Sequence, residues 1–136
     1  MAKMTFLAEE GCLFSGISGL VDAFYIANLW NRTLNHQGPD PLFETEIVTV
    51  EGDTILASGG IRVHPDRAMR DVNRTDLILL PPILPVDEPL TPRMGDISDW
   101  LIDRYRKKTN IAAMCTGTFM LAETGLLHGK IATTNW

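Results

Sequence analysis

Hydrophobic and polar residues alternate in blocks along this chain. Residues 4–8 (Met-Thr-Phe-Leu-Ala) form a short apolar run, the length of a buried strand. From Ile17 the apolar positions recur at Leu20, Val21, Phe24 and Ala27, with Leu29 and Trp30 flanking. That is a helical period, and Ser15 or Ser18 is placed to cap its start. Residues 35–41 are rich in breakers and predict a loop. Residues 43–50 set Phe43, Thr45, Ile47 and Thr49 against Glu44, Glu46, Val48 and Val50, as a strand would. Leu77-Ile78-Leu79-Leu80 is unbroken and is stopped by Pro81-Pro82, which fits a parallel strand covered on both faces. Thr91-Pro92 predicts the start of a helix with Ile97, Trp100, Leu101 and Tyr105 as its buried stripe. Residues 111–114 predict another strand and 116–124 a helix, closed by Gly125 in the left-handed conformation. Strands alternating with helices imply βαβ units and a mostly parallel α/β sheet.

Composition narrows the partners. At 136 residues the chain fits one domain of roughly 100–200 residues. A formal charge of −5 argues against this segment itself gripping nucleic acid, which requires clustered positive charge. The one basic cluster, Arg104, Arg106, Lys107 and Lys108, reads as a solvated helix C-terminus, where cations favour the macrodipole. Cys12 and Cys115 are the only cysteines, too few for a disulfide framework. The first ten residues do not form a signal peptide, and no run reaches the ~20 apolar residues of a membrane span. A cytoplasmic location with reduced thiols is expected. No cofactor or metal is called for.

The most informative stretch runs from Ile111 through Met114-Cys115-Thr116-Gly117 to Ala122. A strand ends, a cysteine follows at once, and a helix begins. A sharp turn there lifts the sulfur to the sheet's carboxyl edge, where α/β folds bind ligands. Helix-start N–H groups favour anions, and Gly117 permits close packing behind the sulfur. Free cysteine is also a common core residue, so spacing alone leaves a functional and a structural Cys115 equally open. Met114, Phe119 and Met120 read as core. Cys12 follows the first strand, and reads either as a packed thiol or as a thiol lining the same crevice.

From Cys115 to Trp136 the sequence resembles the segment CTGxFxLAxxGLLxGxxATTHW of PfpI/ThiJ-like domains in the glutamine-amidotransferase-like superfamily. It is most similar to the branch fused to AraC-type helix-turn-helix domains, the GlxA-like regulators. Gly19-Leu20-Val21-Asp22-Ala23-Phe24 resembles that branch's GPLDVF, and residues 77–82 its DLLLVPGG. The resemblance implies a flavodoxin-like three-layer sandwich, usually dimeric. It also implies that residues 1–136 are an effector-sensing domain whose C-terminal part, with a helix-turn-helix domain, lies beyond Trp136.

Residue by residue, Cys115 matches the family nucleophile and the Thr116 N–H one oxyanion donor. The second donor falls at Pro82-Ile83, where proline has no N–H and the Ile83 amide takes the position. The motif's histidine falls on Asn135, whose carboxamide cannot accept a proton near neutral pH. The family's acid falls near Ser15 or Gly16, neither of them acidic. Losing a general base typically forfeits ~10²–10⁴ in rate, so the resemblance implies a site that binds without turnover. His36, His64 and His128 sit in turns and are expected to face solvent.

A cysteine, backbone donors and an asparagine amide, with Cys12, Ser15, Gly16, Thr116 and Ile83 around them, suit a small polar metabolite. The expected function is therefore ligand sensing and dimerisation at the N-terminus of an AraC-family regulator, with DNA contacted only through the later domain. The resemblance offers an amino acid or quaternary-amine derivative as the effector. The alternatives are a cysteine-dependent hydrolase or amidase using His64 or His128 as base, and a redox sensor in which Cys115 is oxidised.

Overall fold

A computed structural model describes residues 1–35, 40–84 and 90–134. Its elements in chain order are β1 (Ala2–Leu7), α1 (Ser15–Asn35), β2 (Phe43–Thr49), β3 (Ile55–Ala57), β4 (Ile61–Val63), β5 (Arg67–Ala68), β6 (Leu77–Leu80), α2 (Met94–Arg106), β7 (Asn110–Ala113) and α3 (Gly117–Glu123). The expected loop from Asn35 to Pro41 lies partly outside the described residues, as does His36.

The unbroken apolar runs become the centre of the sheet. Five strands stand in the order β5-β2-β1-β6-β7, and every pairing is parallel. The order β2-β1-β6-β7 is the flavodoxin-like, doubly wound arrangement. The connection from β1 to β2 runs one way across the sheet and that from β6 to β7 the other. Right-handed crossovers therefore put α1 and α2 on opposite faces. α1 meets its face through Phe24, whose ring lies 6.4 Å from that of Phe6 and 5.0 Å from that of Phe43. The core is filled by Phe6, Leu7, Ile17, Ile78, Leu80, Ile97, Leu101 and Met120, all fully buried.

Several sequence expectations are corrected. α2 begins at Met94, after Thr91-Pro92, because the Thr91 hydroxyl and carbonyl close a turn first. They accept the N–H groups of Arg93 and Met94, each at 3.1 Å. Tyr105 is exposed, and Arg104 takes the buried place on the stripe. It gives Nη1 to the Asn73 carbonyl at 3.2 Å and lies 5.9 Å from the Trp100 ring centre, so it is not part of a solvated cluster. At the start of α1 the Gly16 and Ile17 amides are met by the Leu13 and Phe14 carbonyls, at 3.0 and 2.9 Å. In β2 Glu46 is buried. It accepts the Thr5 hydroxyl at 2.8 Å and stands 3.0 Å from Lys3 Nζ and 3.1 Å from Arg67 Nε. The antiparallel β3–β4 pair turns through Ser58-Gly59-Gly60, with φ of 74° and 76° at the two glycines.

Candidate functional site at the carboxyl edge of the sheet

In a doubly wound sheet the ligand crevice opens at the carboxyl ends of the strands, where the winding changes direction. Here that point lies between β1 and β6, with β7 next to β6. The segments leaving these three strands are laced together. The Met114 N–H extends the β6–β7 ladder by bonding the Leu80 carbonyl at 3.0 Å. Leu13 bonds the Pro82 carbonyl at 2.8 Å, and Cys12 forms an isolated antiparallel bridge with Ile83.

Cys115 follows at φ 52°, in the left-handed region that a residue with a Cβ enters at a cost of about 1–2 kcal/mol. The chain then enters α3, with the Gly117 N–H bonded to Met114 and the Thr118 N–H to Cys115. Gly117 is required: a Cβ there would stand 2.5 Å from the Pro81 carbonyl oxygen and 2.8 Å from that of Leu80. The strand-to-helix elbow expected from the sequence is thus present, and its sulfur is half-buried.

The donors around the sulfur differ from expectation. The Thr116 hydroxyl accepts the Ile83 N–H at 3.0 Å and donates to the Ile83 carbonyl at 2.8 Å. The Ile83 amide is therefore engaged within the fold and is not a free oxyanion donor. The Thr116 N–H meets no acceptor among the described residues. Gly16 backs directly onto Pro82, where an added Cβ would stand 2.7 Å from the proline ring and 3.3 Å from the end of Met114. A carboxylic acid has no room at Gly16 unless its neighbours move, and Ser15 beside it is exposed.

Thr134 donates its hydroxyl to the Cys115 carbonyl at 2.9 Å, and Thr118 donates to the Thr133 carbonyl at 3.3 Å. Thr133 and Thr134 thus fold back over the elbow, while Asn135 lies outside the described residues. His64 is exposed and bonded to the Thr54 hydroxyl at 2.9 Å, and His128 is exposed in the turn after α3. Among the described residues no imidazole or carboxylate is hydrogen-bonded to the Cys115 sulfur. Cys12 is fully buried, and that burial pushes its thiol pKa up. It takes the place of the packed thiol, not of a crevice-lining one.

Sequence reasoning missed Glu9. It sits just past the carboxyl end of β1, only 6% exposed, and accepts the Thr91 hydroxyl at 3.1 Å. Burial raises its pKa above the usual carboxylate value, outweighing the hydrogen bond from Thr91. An acid placed immediately after an apolar parallel strand was the available signal. Glu9 borders a cleft of about 220 Å³ with Glu10, Thr49, Asp53, Thr54 and Arg93. A neighbouring cleft of about 290 Å³ is walled by Val50, Met69, Arg70, Arg93 and Trp100. Arg93 stands between them, paired with Glu51 and, at 2.9 Å, with Asp96. Neither cleft is lined by Cys115.

Known proteins place this arrangement. The chain is 28% identical over 131 residues to the HTH-type transcriptional regulator CdhR of Pseudomonas aeruginosa, covering 96% of this chain and 36% of that protein. It therefore spans about a third of that relative's length. A putative transcriptional regulator from Vibrio parahaemolyticus superposes with a TM-score of 0.69 at 25% identity, covering 94% of this chain and 63% of that one. An AraC family transcriptional regulator from Pseudomonas putida shows the same fold, with a TM-score of 0.75 at 16% identity over 96% of this chain and 64% of that one. Among the described residues no helix is long and apolar enough to cross a membrane. The family model for DJ-1/PfpI matches residues 32–136, and the chain belongs to the DJ-1/PfpI family.

Proposed function

We propose that this chain is the effector-sensing and self-associating module of an AraC-type transcription regulator, acting in the cytoplasm and binding a small polar metabolite without converting it. The observation that carries the reading is the elbow itself. Cys115 is held in the nucleophile conformation, yet its hydrogen-bonded surroundings supply no proton acceptor among the described residues. A general base must lie within hydrogen-bond reach of the group it serves. The similarity to CdhR supports the regulator context, because the matched part of that protein is a segment about as long as this one. DNA binding is assigned to a separate helix-turn-helix domain, since this segment carries a formal charge of −5 and phosphate binding needs clustered positive charge.

The test is a thermal-shift screen of amino acids and quaternary amines on the full-length protein, followed by footprinting of its operator with the best hit. A metabolite that raises Tm and changes DNA occupancy is the expected result. A gene that encodes no DNA-binding domain contradicts the reading.

A hydrolase or amidase remains the second reading, because one observation favours it. Glu9 is a buried carboxyl group of raised pKa at the same sheet edge, the setting in which general acids are found. That reading requires a substrate bound between Glu9 and Cys115 and an activity that disappears in Cys115→Ser.

A further inference from the structure

β3 and β4 pair only with each other, in a two-stranded sheet separate from the five-stranded one. An isolated hairpin of this size is at best marginally stable in water, so its position is set by what holds it. Ala57 and Val63 are buried against the core, while Leu56 and Ile61 on the other side are half-exposed. The polar attachments converge on one place. The Gly11 N–H bonds the Leu56 carbonyl, and the Ser58 N–H the Cys12 carbonyl, each at 2.9 Å. The Ser58 hydroxyl donates to the Gly11 carbonyl at 2.8 Å, and the Leu56 N–H reaches the Glu10 carboxylate at 3.1 Å. Among the described residues, the hydrogen bonds joining residues 55–63 to other segments all end on Glu10, Gly11 or Cys12.

The elbow holds the same turn from its other side. Cys12 bridges to Ile83, with the Leu13 N–H on the Pro82 carbonyl at 2.8 Å. Ile83 is in turn gripped at both backbone groups by the hydroxyl of Thr116, the residue after Cys115. Gly11, at φ 74°, lies close under this strand: a Cβ there would stand 3.3 Å from the Leu84 carbonyl oxygen. Thr116, Ile83, Cys12 and Ala57 are all buried. Close-packed interiors transmit strain, so a shift of Thr116 passes to Ile83 and Cys12. The five-stranded ladder resists it, and the hairpin, tied by few bonds, is the element freest to follow.

We infer that the turn after β1 couples the elbow to the β3–β4 hairpin, so that a change at Cys115 and Thr116 is expressed at the outer face formed by Leu56 and Ile61. The inference rests on the reading of the elbow as the effector site, and it names the part of the fold that responds there.

Amide hydrogen exchange of the full-length protein tests the coupling in one direction. Thr116→Val unties Ile83, and the Gly11 and Ser58 amides are expected to exchange about 10-fold faster, the loss of roughly one buried hydrogen bond from local stability. The Asp66 amide is the control, because it follows β4 closely in sequence but bonds the Ile47 carbonyl of β2 at 2.7 Å. Thr116→Ser keeps the hydroxyl and is expected to stay within about twofold of wild type, which separates the lost bond from general misfolding. Coupling free energies are reciprocal, so the opposite direction is read at the sulfur. Ser58→Ala frees the hairpin from the Gly11 carbonyl and is expected to raise the iodoacetamide labelling rate of Cys115 by about threefold. Gly11 and Ser58 amides no faster than Asp66 in Thr116→Val, or a labelling rate unchanged by Ser58→Ala, overturns the inference. Both measurements are made without a ligand, so that failure belongs to the coupling alone; failure of the effector reading shows instead as a metabolite screen without a hit.

Discussion

The Thr116 hydroxyl holds Ile83 at both of its backbone groups, accepting its N–H at 3.0 Å and donating to its carbonyl at 2.8 Å. Thr116 and Ile83 are both buried, so neither backbone group has water as an alternative. One side chain thereby joins the turn after β6 to the start of α3. It also uses the amide that the family resemblance offered as a second oxyanion donor. Thr116→Val keeps the shape and removes both bonds, and is expected to lower unfolding free energy by about 1–3 kcal/mol. Thr116→Ser is expected to retain most of it. Urea denaturation of the pair gives the difference.

Gly117 is the closest contact in the elbow. Gly117→Ala places a methyl group against two carbonyl oxygens that belong to the β6 turn and cannot rotate away. A loss of about 1–3 kcal/mol is expected from this overpacking. Thermal melts check it, with Gly95→Ala as a control at a helix position where the added Cβ meets nothing within 4 Å.

The left-handed Cys115 predicts the opposite sign. Cys115→Gly relieves the φ 52° strain and is expected to stabilise the fold by up to about 1 kcal/mol, after the added freedom of the unfolded chain is subtracted. Cys115→Ala is expected to be near neutral. A Cys115→Gly variant that melts below wild type shows that the sulfur makes contacts worth more than the strain it imposes.

Glu9 predicts a pH effect of definite sign. Burial raises its pKa in the folded protein above the ordinary value of 4.5, so the native state holds this proton more tightly than the unfolded one. Stability is then greatest below that ordinary value and falls as pH rises through the native pKa. Glu9→Gln keeps an acceptor for Thr91 and removes the charge. It is expected to stabilise the protein at pH 7, with the advantage shrinking to nothing near pH 4. Denaturation curves of both proteins at the two pH values decide it. An advantage that grows on acidification contradicts the assignment.

The two cysteines should behave differently. Cys12 is fully buried with its thiol pKa pushed up, whereas Cys115 is half-buried at the edge. Iodoacetamide labelling of the native protein, read by peptide mass, is expected to modify Cys115 well before Cys12. Labelling of Cys12 should require opening of the β1 turn.

The sheet and the elbow were legible because both rest on local pattern. Four consecutive apolar residues at Leu77–Leu80 encode a two-sided strand, and the shift from Ala113 to Gly117 encodes a strand giving way to a helix. What stayed hidden depends on contacts between distant segments. Nothing near Ile83 announces that Thr116, 33 positions away, will take its amide. Arg104 lies on the face that periodicity assigns to Tyr105, and only the Asn73 carbonyl and the Trp100 ring explain its burial. Glu9 looks like surface charge until the turn beyond β1 folds under Thr91. Leu29 and Trp30 lie beside the helical period in the sequence, but their exposure depends on which face the sheet claims.

Whether the elbow binds or converts its ligand is settled most directly by mass. The full-length protein is incubated with the metabolite that gives the largest thermal shift, alongside Cys115→Ser, and the small molecule is followed by mass spectrometry over many hours. Recovery of the unchanged metabolite from both proteins, with a thermal shift retained in each, is the expected result. Steady conversion by the wild type that vanishes in Cys115→Ser would contradict the account.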